Sequence, residues 1–325
     1  MTQNRISAPP HLHCGDSVIR MTVGAGLGFL PVALAALLAF GGRAAGLFGL
    51  SLAGAVAAEF AASRLLEKKW PAAEDIAACL MSALLYAALV PVHWGAVWII
   101  TGSVASVLIG RKVFGALGAS PFHPVMTGLS FVMAVSPGLF HAGGLAFSFA
   151  HTSFSDFLLH KLPVQLGSIL ASGDAGCLAA TSVAAILLGG AVLWMRRLVL
   201  PEIPLIYLGT LAAGARLCFG ACPAQSWMGL LPTDVFVAFF ILTDSVTAPL
   251  TRSAKRWLAF AAAGLVLALR PFTGALGSAV LAVLAMNAMT PWMDEWFRPR
   301  GSRSGTFGAD FFRNLKSPRK EGHLS

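Results

Sequence analysis

The sequence predicts an all-α polytopic membrane protein with about ten transmembrane helices, arranged as two inverted five-helix repeats. Three observations support this fold class: long apolar runs, basic residues gathered between those runs, and an internal similarity at a constant offset. Of the 325 residues, 57% are hydrophobic and 11% are charged. Backbone polar groups inside a bilayer must be paired internally, so apolar runs of this length are predicted to be helices.

Ten apolar spans are predicted between two polar ends. Residues 1–18 form a polar cytoplasmic lead without the features of a cleavable signal peptide, so the first span is expected to be retained. The first repeat is predicted over residues 19–140, an outer loop over 141–176, the second repeat over 177–297 and a basic cytoplasmic tail over 298–325. The spans are 19–40, 45–65, 75–91, 94–113, 121–140, 177–195, 200–219, 233–244, 257–270 and 275–293.

The distribution of basic residues predicts the orientation of these spans. With the N-terminus in the cytoplasm, 19 of the 23 Lys and Arg residues fall in inner segments, and the exceptions are Arg43, Lys161, Arg216 and Arg270. Basic loops tend to remain on the cytoplasmic side, so both termini are predicted to lie there. The net charge of +9 comes from short clusters and not from one basic face with aromatic residues. It therefore indicates contact with the lipid bilayer and no nucleic-acid binding.

An internal repeat relates the two halves of the chain. Residues 234–277 match residues 75–118 without a gap, at an offset of 159. The matches are Asp234 with Asp75, Trp257 with Trp98, Arg270 with Arg111, and Gly274-Ala-Leu-Gly277 with Gly115-Ala-Leu-Gly118. Five spans per copy is an odd number, so the two copies are predicted to have opposite orientations in the membrane.

Three segments are predicted to be broken or re-entrant because they interrupt short spans with Gly, Pro and polar residues. They are Gly115–Pro124, Asp244–Pro249 and Pro271–Gly277. Irregular backbone at membrane depth persists only where it is buried in protein or lines a cavity. Gly115 and Gly118 let the backbone approach a ligand, although the same glycines also suit tight packing of helices.

The turn from Thr243 to Thr251 offers hydroxyl groups and a carboxylate where a helix ends. Thr243, Asp244 and Thr247 could bind the ring carbonyls of a cofactor or an ion. Alternatively, these side chains only satisfy the end of the helix. The residues alone favour neither reading.

Glu59 is the lone carboxylate of the second span and a candidate for an ion pathway, because acidic residues within membranes are usually functional. The alternative is a simple ion pair with Arg64. Asp75 and Asp234 stand at helix starts, where we expect them to act as caps.

Motifs of self-contained enzymes are missing from the sequence. It has no P-loop, HExxH, GxGxxG or nucleophile–base pattern, and its five cysteines form no CxxC pair. No catalytic residue and no metal site is predicted.

Three stretches carry a resemblance to a known family: GRKVFGALGASPFHPVMTG at 110–128, FVAFFILTDSVTAPLTRSAKRW at 236–257 and LAMNAMTPWMDEWFRPR at 284–300. Together with the opening SAPPHLHCGDSVIRM, they resemble the RnfD/NqrB family, which comprises the RnfD membrane protein of the Rnf electron-transport complex and the NqrB protein of the sodium-translocating NADH:quinone oxidoreductase. The resemblance covers nearly all of residues 7–300. It implies a subunit of a multi-subunit complex in a bacterial inner membrane, in which electrons pass through flavins and iron–sulfur centres while Na⁺ or H⁺ crosses.

The chain departs from this family at positions that bear on the cofactor. The family holds FMN through a threonine of an S-G-A-T-like motif between spans five and six. Here HTSFSD at 151–156 and SGDAG at 172–176 do not preserve that motif. Where the family has the motif N-P-F-N-P, this chain has Ser120-Pro-Phe-His123-Pro. Where the family has T-D-P-V-T-A, this chain has Thr243-Asp-Ser245-Val-Thr-Ala.

We therefore expect no covalent FMN, and a non-covalent flavin (riboflavin or FMN) between the repeats. The residues expected to line it are Thr243, Asp244, Thr247, Gly115, Gly118, Ser120 and His123. Two other functions fit the same sequence: a small-solute or ion channel, and a scaffold subunit without a cofactor.

Overall fold

A computed structural model describes residues 18–114, 120–142, 177–219 and 231–297. In this part of the chain the regular structure is helical, apart from an isolated β-bridge between Pro91 and Cys177. The helices are α1 (Val18–Phe40), α2 (Gly42–Ala62), α3 (Ala73–Leu89), α4 (Ala96–Val107), α5 (Pro124–Val135), α6 (Gly138–Ala142), α7 (Val183–Met195), α8 (Glu202–Phe219), α9 (Pro232–Phe236) and α10 (Arg252–Trp296).

Short helical turns of other types extend these elements. A 3₁₀ turn, Leu178–Thr181, precedes α7. Wider π-helical turns continue α2 over Ser63–Glu67, α4 over Leu108–Lys112 and α9 over Val237–Ile241. Such π turns shift the register of the side chains that follow and occur often near functional sites.

The predicted fold class is confirmed: the chain is an all-α polytopic membrane protein. Three helical segments among the described residues are long and apolar enough to cross a bilayer, namely Val18–Phe40, Gly42–Leu65 and Arg252–Trp296. Large apolar side chains on the outside of the helices, such as Leu38 and Leu217, are about four-fifths exposed or more (79% and 85%). Such a surface is suited to lipid rather than to water.

The last two predicted spans lie on the two sides of a kink in α10. Spans 257–270 and 275–293 both lie in α10, which is interrupted at Gly274, where φ is 71° and ψ is −175°. Only glycine adopts this backbone conformation readily, so the break occurs without an intervening loop. The segment Pro271–Gly277, which was predicted to be broken or re-entrant, is therefore broken at Gly274 and helical on either side of it. The number of membrane crossings and the opposite orientation of the repeats stay predictions.

Small residues allow the helices to pack closely at the centre of the molecule. A Cβ atom at Gly189 of α7 would collide with the carbonyl oxygen of Gly28 in α1, and one at Gly102 of α4 would collide with the ring of Tyr86. Membrane helices use glycine in this way because their association depends on close packing. The neighbouring Phe29 makes edge-to-face contacts with Phe236 and Phe240, with ring centroids 6.3 and 6.1 Å apart. These contacts join α1 to the second half of the chain.

Candidate functional site

The candidate site is built around residues 242–251, a non-helical segment between the π turn after α9 and the start of α10. Thr243 donates its hydroxyl hydrogen bond to the carbonyl of Phe239 at 2.6 Å, and the Thr251 hydroxyl caps α10 by accepting from the Ala254 amide at 3.2 Å. These hydrogen bonds satisfy helix ends. The role of Thr243 in binding a cofactor stays a prediction. Thr247 differs, because it is buried and donates to Oδ2 of Asp244 at 3.3 Å.

His123 reaches this segment from the first half of the chain. It precedes Pro124, the first residue of α5, and its side chain is buried and interacts electrostatically with Asp244. Gly110 positions the start of α5, because a Cβ atom there would lie 2.7 Å from Cα of Pro124. The helix that follows His123, α5, packs against α10, the helix that follows the turn. Ser120, three residues before His123, is also buried.

The second half of α10 supplies three polar residues that the sequence analysis did not single out. Thr290 donates to the carbonyl of Thr247 at 3.2 Å, and Oδ1 of Asp294 accepts from the amide of Leu250 at 2.8 Å. Asn287 is buried one turn before Thr290. The spacing of three and then four residues puts all three on one face of the helix, and this periodicity is the signal that could have identified them.

Two buried nitrogen atoms near this segment have no hydrogen-bond partner among the described residues: Nδ1 of His123 and Nδ2 of Asn287. Buried polar atoms are nearly always paired, so such atoms indicate a missing partner. An amide nitrogen can donate to a ring carbonyl, and the Asp244 carboxylate can accept from a ring N–H. The donor and acceptor set therefore suits the polar edge of a flavin.

Some predicted features of the site lie outside the described residues. These are Gly115 and Gly118, together with the segments 151–156 and 172–176 that were compared with the FMN-attachment motif.

Glu59 belongs to a separate buried cluster at the ends of α2, α3 and α4. Its Oε1 lies 2.7 Å from Nζ of Lys112, and its Oε2 lies 3.4 Å from Nη1 of Arg111. Arg111 also donates to the carbonyl of Asp75 at 3.3 Å. The alternative pairing with Arg64 is wrong, because that guanidinium lies 3.5 Å above the ring of Trp70.

Charge is balanced within this cluster. Glu59 and Asp75 are negative, whereas Arg111 and Lys112 are positive, and the side chains of Glu59, Arg111 and Lys112 are at most 6% exposed. Buried charges are tolerated in pairs of this kind because each compensates the desolvation of the other. The contacts also fasten three helices at one end. The role of Glu59 in an ion pathway stays a prediction.

Asp234 acts as the helix cap that the sequence predicts. Its Oδ2 accepts from the amide of Leu231 at 2.9 Å, at the start of α9. The carboxylate has a second function as well, because Nη2 of Arg270 lies 2.7 Å from Oδ1.

Comparison with known proteins places the chain in a family. Residues 5–303 match the family model described as "NQR2, RnfD, RnfE family". The chain is 31% identical over 329 residues to the D subunit of the ion-translocating oxidoreductase complex of Stutzerimonas stutzeri, an alignment that covers 88% of this chain and 92% of that protein. It is 26% identical to the D subunit of the Na⁺-translocating ferredoxin:NAD⁺ oxidoreductase complex of Acetobacterium woodii, over 91% of this chain and 94% of that protein.

A third relative, the D subunit of the ion-translocating oxidoreductase complex of Halorhodospira halophila, is 28% identical over 75% of this chain and 80% of that protein. The family match runs through the two halves of the chain, including the segments that form the candidate site. The protein is therefore a member of the NQR2, RnfD, RnfE family.

Proposed function

We propose that this chain is the membrane subunit of an ion-translocating electron-transport complex of the Rnf or Nqr type. Relatives named as D subunits of such complexes align over most of both sequences, which supports this function. In this proposal other subunits supply the electron donor and the iron–sulfur centres, and electron flow is coupled to the movement of Na⁺ or H⁺. The absence of iron–sulfur and nucleotide-binding motifs from the sequence is consistent with that division.

The proposed contribution of this chain is a non-covalent flavin site, lined by Thr243, Asp244, Thr247, Ser120 and His123, with Asn287 added from the structure. Gly115 and Gly118 complete the proposed set. One observation carries this part of the proposal. The buried amide nitrogen of Asn287 has no partner among the described residues, and Thr290 of the same helix donates to the carbonyl of Thr247 in the turn that bears Asp244. When bound, a flavin would supply the ability to accept electrons and pass them on singly or in pairs.

The chain's own residues would bind the flavin and shield it from water. Asn287 would donate to a ring carbonyl, and Asp244 would accept from a ring N–H. Thr247 would hold the Asp244 carboxylate in place, since its hydroxyl donates to that group. Thr290 would hold the turn itself through the carbonyl of Thr247.

We also propose that the protein lies in the bacterial inner membrane with both termini in the cytoplasm. The arrangement of basic residues supports this topology, because 19 of 23 fall on one side when ten spans are assumed.

The flavin proposal is tested by the visible spectrum of the purified chain, expressed in a host that contains the flavin transferase. We expect a yellow protein that releases its flavin on denaturation. Fluorescence that stays with the denatured band in a gel would show covalent FMN and contradict the proposal. A colourless protein would also contradict it and would favour the scaffold function, whereas solute flux through the isolated chain in liposomes would favour the channel.

A further inference from the structure

The chain reverses its direction just after α2, where a segment long and apolar enough to cross a bilayer ends at Leu65. The backbone amides of Lys68 and Lys69 both donate to the carbonyl of Ser63, the second at 3.1 Å. Lys68 has a φ of 55° and a ψ of 27°, a left-handed conformation that is uncommon in residues other than glycine. This turn returns the next residue, Trp70, to the side of the helical segment that the chain has just left.

Trp70 packs against two residues one helical turn apart, Phe60 in α2 and Arg64 in the π turn that continues it. The Trp70 and Phe60 rings meet edge to face with their centroids 6.4 Å apart, and Cζ of Arg64 lies 3.5 Å from the centroid of the indole ring. Stacking covers one face of a guanidinium and leaves its N–H donors, which lie in the plane of the group, directed outwards. Trp70 is 67% exposed, so the stacked pair holds a cation in place on an open surface.

Positive charge is in excess at this turn. Arg64, Lys68 and Lys69 are exposed, and no carboxylate among the described side chains forms an ion pair with any of them. The exposed Arg256 in α10 differs, because a carboxylate oxygen lies 2.7 Å from its Nε. Residues 64–70 contain one acidic residue against the three basic ones. The turn therefore offers cations to an anionic ligand.

We propose that Arg64, Leu65, Lys68, Lys69 and Trp70 form a binding site for one acidic phospholipid. The phosphate accepts hydrogen bonds from Arg64 and is attracted by the two lysines, whereas an acyl chain covers Leu65, which is 77% exposed. Arginine binds phosphate through two parallel N–H···O bonds, and tryptophan rings are enriched at the membrane interface. Basic residues next to the end of a membrane helix attract anionic headgroups.

Charge and position together identify this ligand. A soluble anion would use the cations alone and would leave the exposed indole ring and Leu65 uncovered. A zwitterionic phospholipid has the same phosphate, but the lysines would repel its ammonium group. The headgroup of phosphatidylglycerol carries no such cation, and its acyl chains cover the apolar surface beside the end of the span.

Quenching of Trp70 fluorescence by brominated lipid tests this proposal, because bromine quenches indole rings that contact the labelled chains. The full chain is placed in phosphatidylcholine nanodiscs with increasing fractions of brominated phosphatidylglycerol or, separately, of brominated phosphatidylcholine. The chain has eight tryptophans, so the Trp70 signal is the difference between the unchanged protein and Trp70→Phe. We expect half-maximal quenching at a roughly tenfold lower fraction of the acidic lipid. Equal quenching by the two lipids would overturn the proposal.

Matched variants make the result specific to this site. Arg64→Gln and the double variant Lys68→Gln/Lys69→Gln should each remove most of the preference for phosphatidylglycerol. Arg43→Gln is the control, because it removes an exposed basic residue from the other end of α2 and should leave the preference unchanged. A preference that survives in both site variants would overturn the proposal. If a variant fails to fold, the comparison of the two lipids in the unchanged protein still decides the question.

Two further measurements separate the acidic lipid from other ligands. Inorganic phosphate should leave the quenching curve in place, and displacement of the lipid by phosphate would show a site for soluble anions instead. The same difference measurement on the complete complex, purified with its other subunits, should give the same preference. Loss of lipid contact at Trp70 in that complex would show that another subunit covers the site and would overturn the proposal.

Discussion

Arg270 and Asp234 form a buried ion pair in which one guanidinium nitrogen lies 2.7 Å from Oδ1 and 2.8 Å from Oδ2 of the carboxylate. The residues at the same places in the first repeat, Arg111 and Asp75, are also paired, with Nη2 3.7 Å from Oδ1. In both halves the partners are 36 positions apart. The two repeats therefore share an ion pair as well as identical residues at corresponding positions, and this supports the predicted repeat.

Replacement of Arg270 by Met should destabilise the protein strongly. It leaves the fully buried Asp234 without its compensating charge, and loss of one partner of a buried pair costs about 3–5 kcal/mol. The measurement is the Tm of the detergent-solubilised protein. Arg256→Met is the matched control: its pair with Glu202 has the same 2.7 Å separation but is 53% and 37% exposed, so no measurable change is expected. Equal shifts for both variants would contradict this account.

Glu59→Gln should lower the Tm because the cluster of Glu59, Asp75, Arg111 and Lys112 would gain a net positive charge. The double variant Glu59→Gln/Lys112→Met restores the balance and should recover most of the loss. Measuring ion transport by the assembled complex distinguishes a purely structural role of Glu59 from a role in the ion pathway. If Glu59 lies on an ion pathway, transport stays impaired in the stable double variant. Full transport there would exclude Glu59 from the pathway.

Gly28→Ala should disturb the contact between α1 and α7. The new methyl group would lie 2.6 Å from Cδ2 of Leu193 and 3.2 Å from the carbonyl oxygen of Gly189. Overpacking of this kind costs about 1–3 kcal/mol. Gly26→Ala, two residues earlier in the same helix, has open space around the added atom and should be neutral or slightly stabilising. Thermal unfolding of both variants checks the prediction, and a loss of stability in Gly26→Ala would contradict it.

Asp244→Asn should weaken flavin binding by roughly tenfold to a hundredfold, the loss expected when a hydrogen bond to a charged group worth about 1.5–3 kcal/mol is removed. The flavin content of the purified protein, titrated against added riboflavin, measures the effect. Ser245→Ala changes the neighbouring residue of the same turn, whose side chain is exposed, and should bind flavin as the unchanged protein does. Full flavin content in Asp244→Asn would remove that residue from the site.

Asn287→Leu tests the residue that the structure adds to the site. Its amide nitrogen is buried without a partner among the described residues, so an apolar side chain of similar size should leave the fold intact or stabilise it. Flavin retention should nevertheless fall, because a ring carbonyl would lose its donor. A variant that is more stable and retains its flavin would show that Asn287 has no part in binding.

The sequence alone determined the class of protein, the places of most helices and the segments typical of the family. These properties follow from local patterns: an apolar run of about twenty residues is itself sufficient to predict a membrane helix. The motifs of the candidate site are likewise continuous stretches, so Ser120, His123 and Asp244 could be named from the order of residues alone. The capping function of Asp234 followed from its place at a helix start.

Tertiary structure decided which of these groups meet. Glu59 pairs with Lys112, 53 positions later, and not with its neighbour Arg64. His123 precedes α5, which packs against α10 of the other half of the chain. Asn287 joins the candidate site from a helix whose apolar composition predicts only a membrane span. The hydrophobicity of consecutive residues is a local property, so membrane helices can be predicted from the sequence. The partner of a buried charge or hydroxyl depends on which helix packs against it, and that is set by the fit of many side chains across the whole fold.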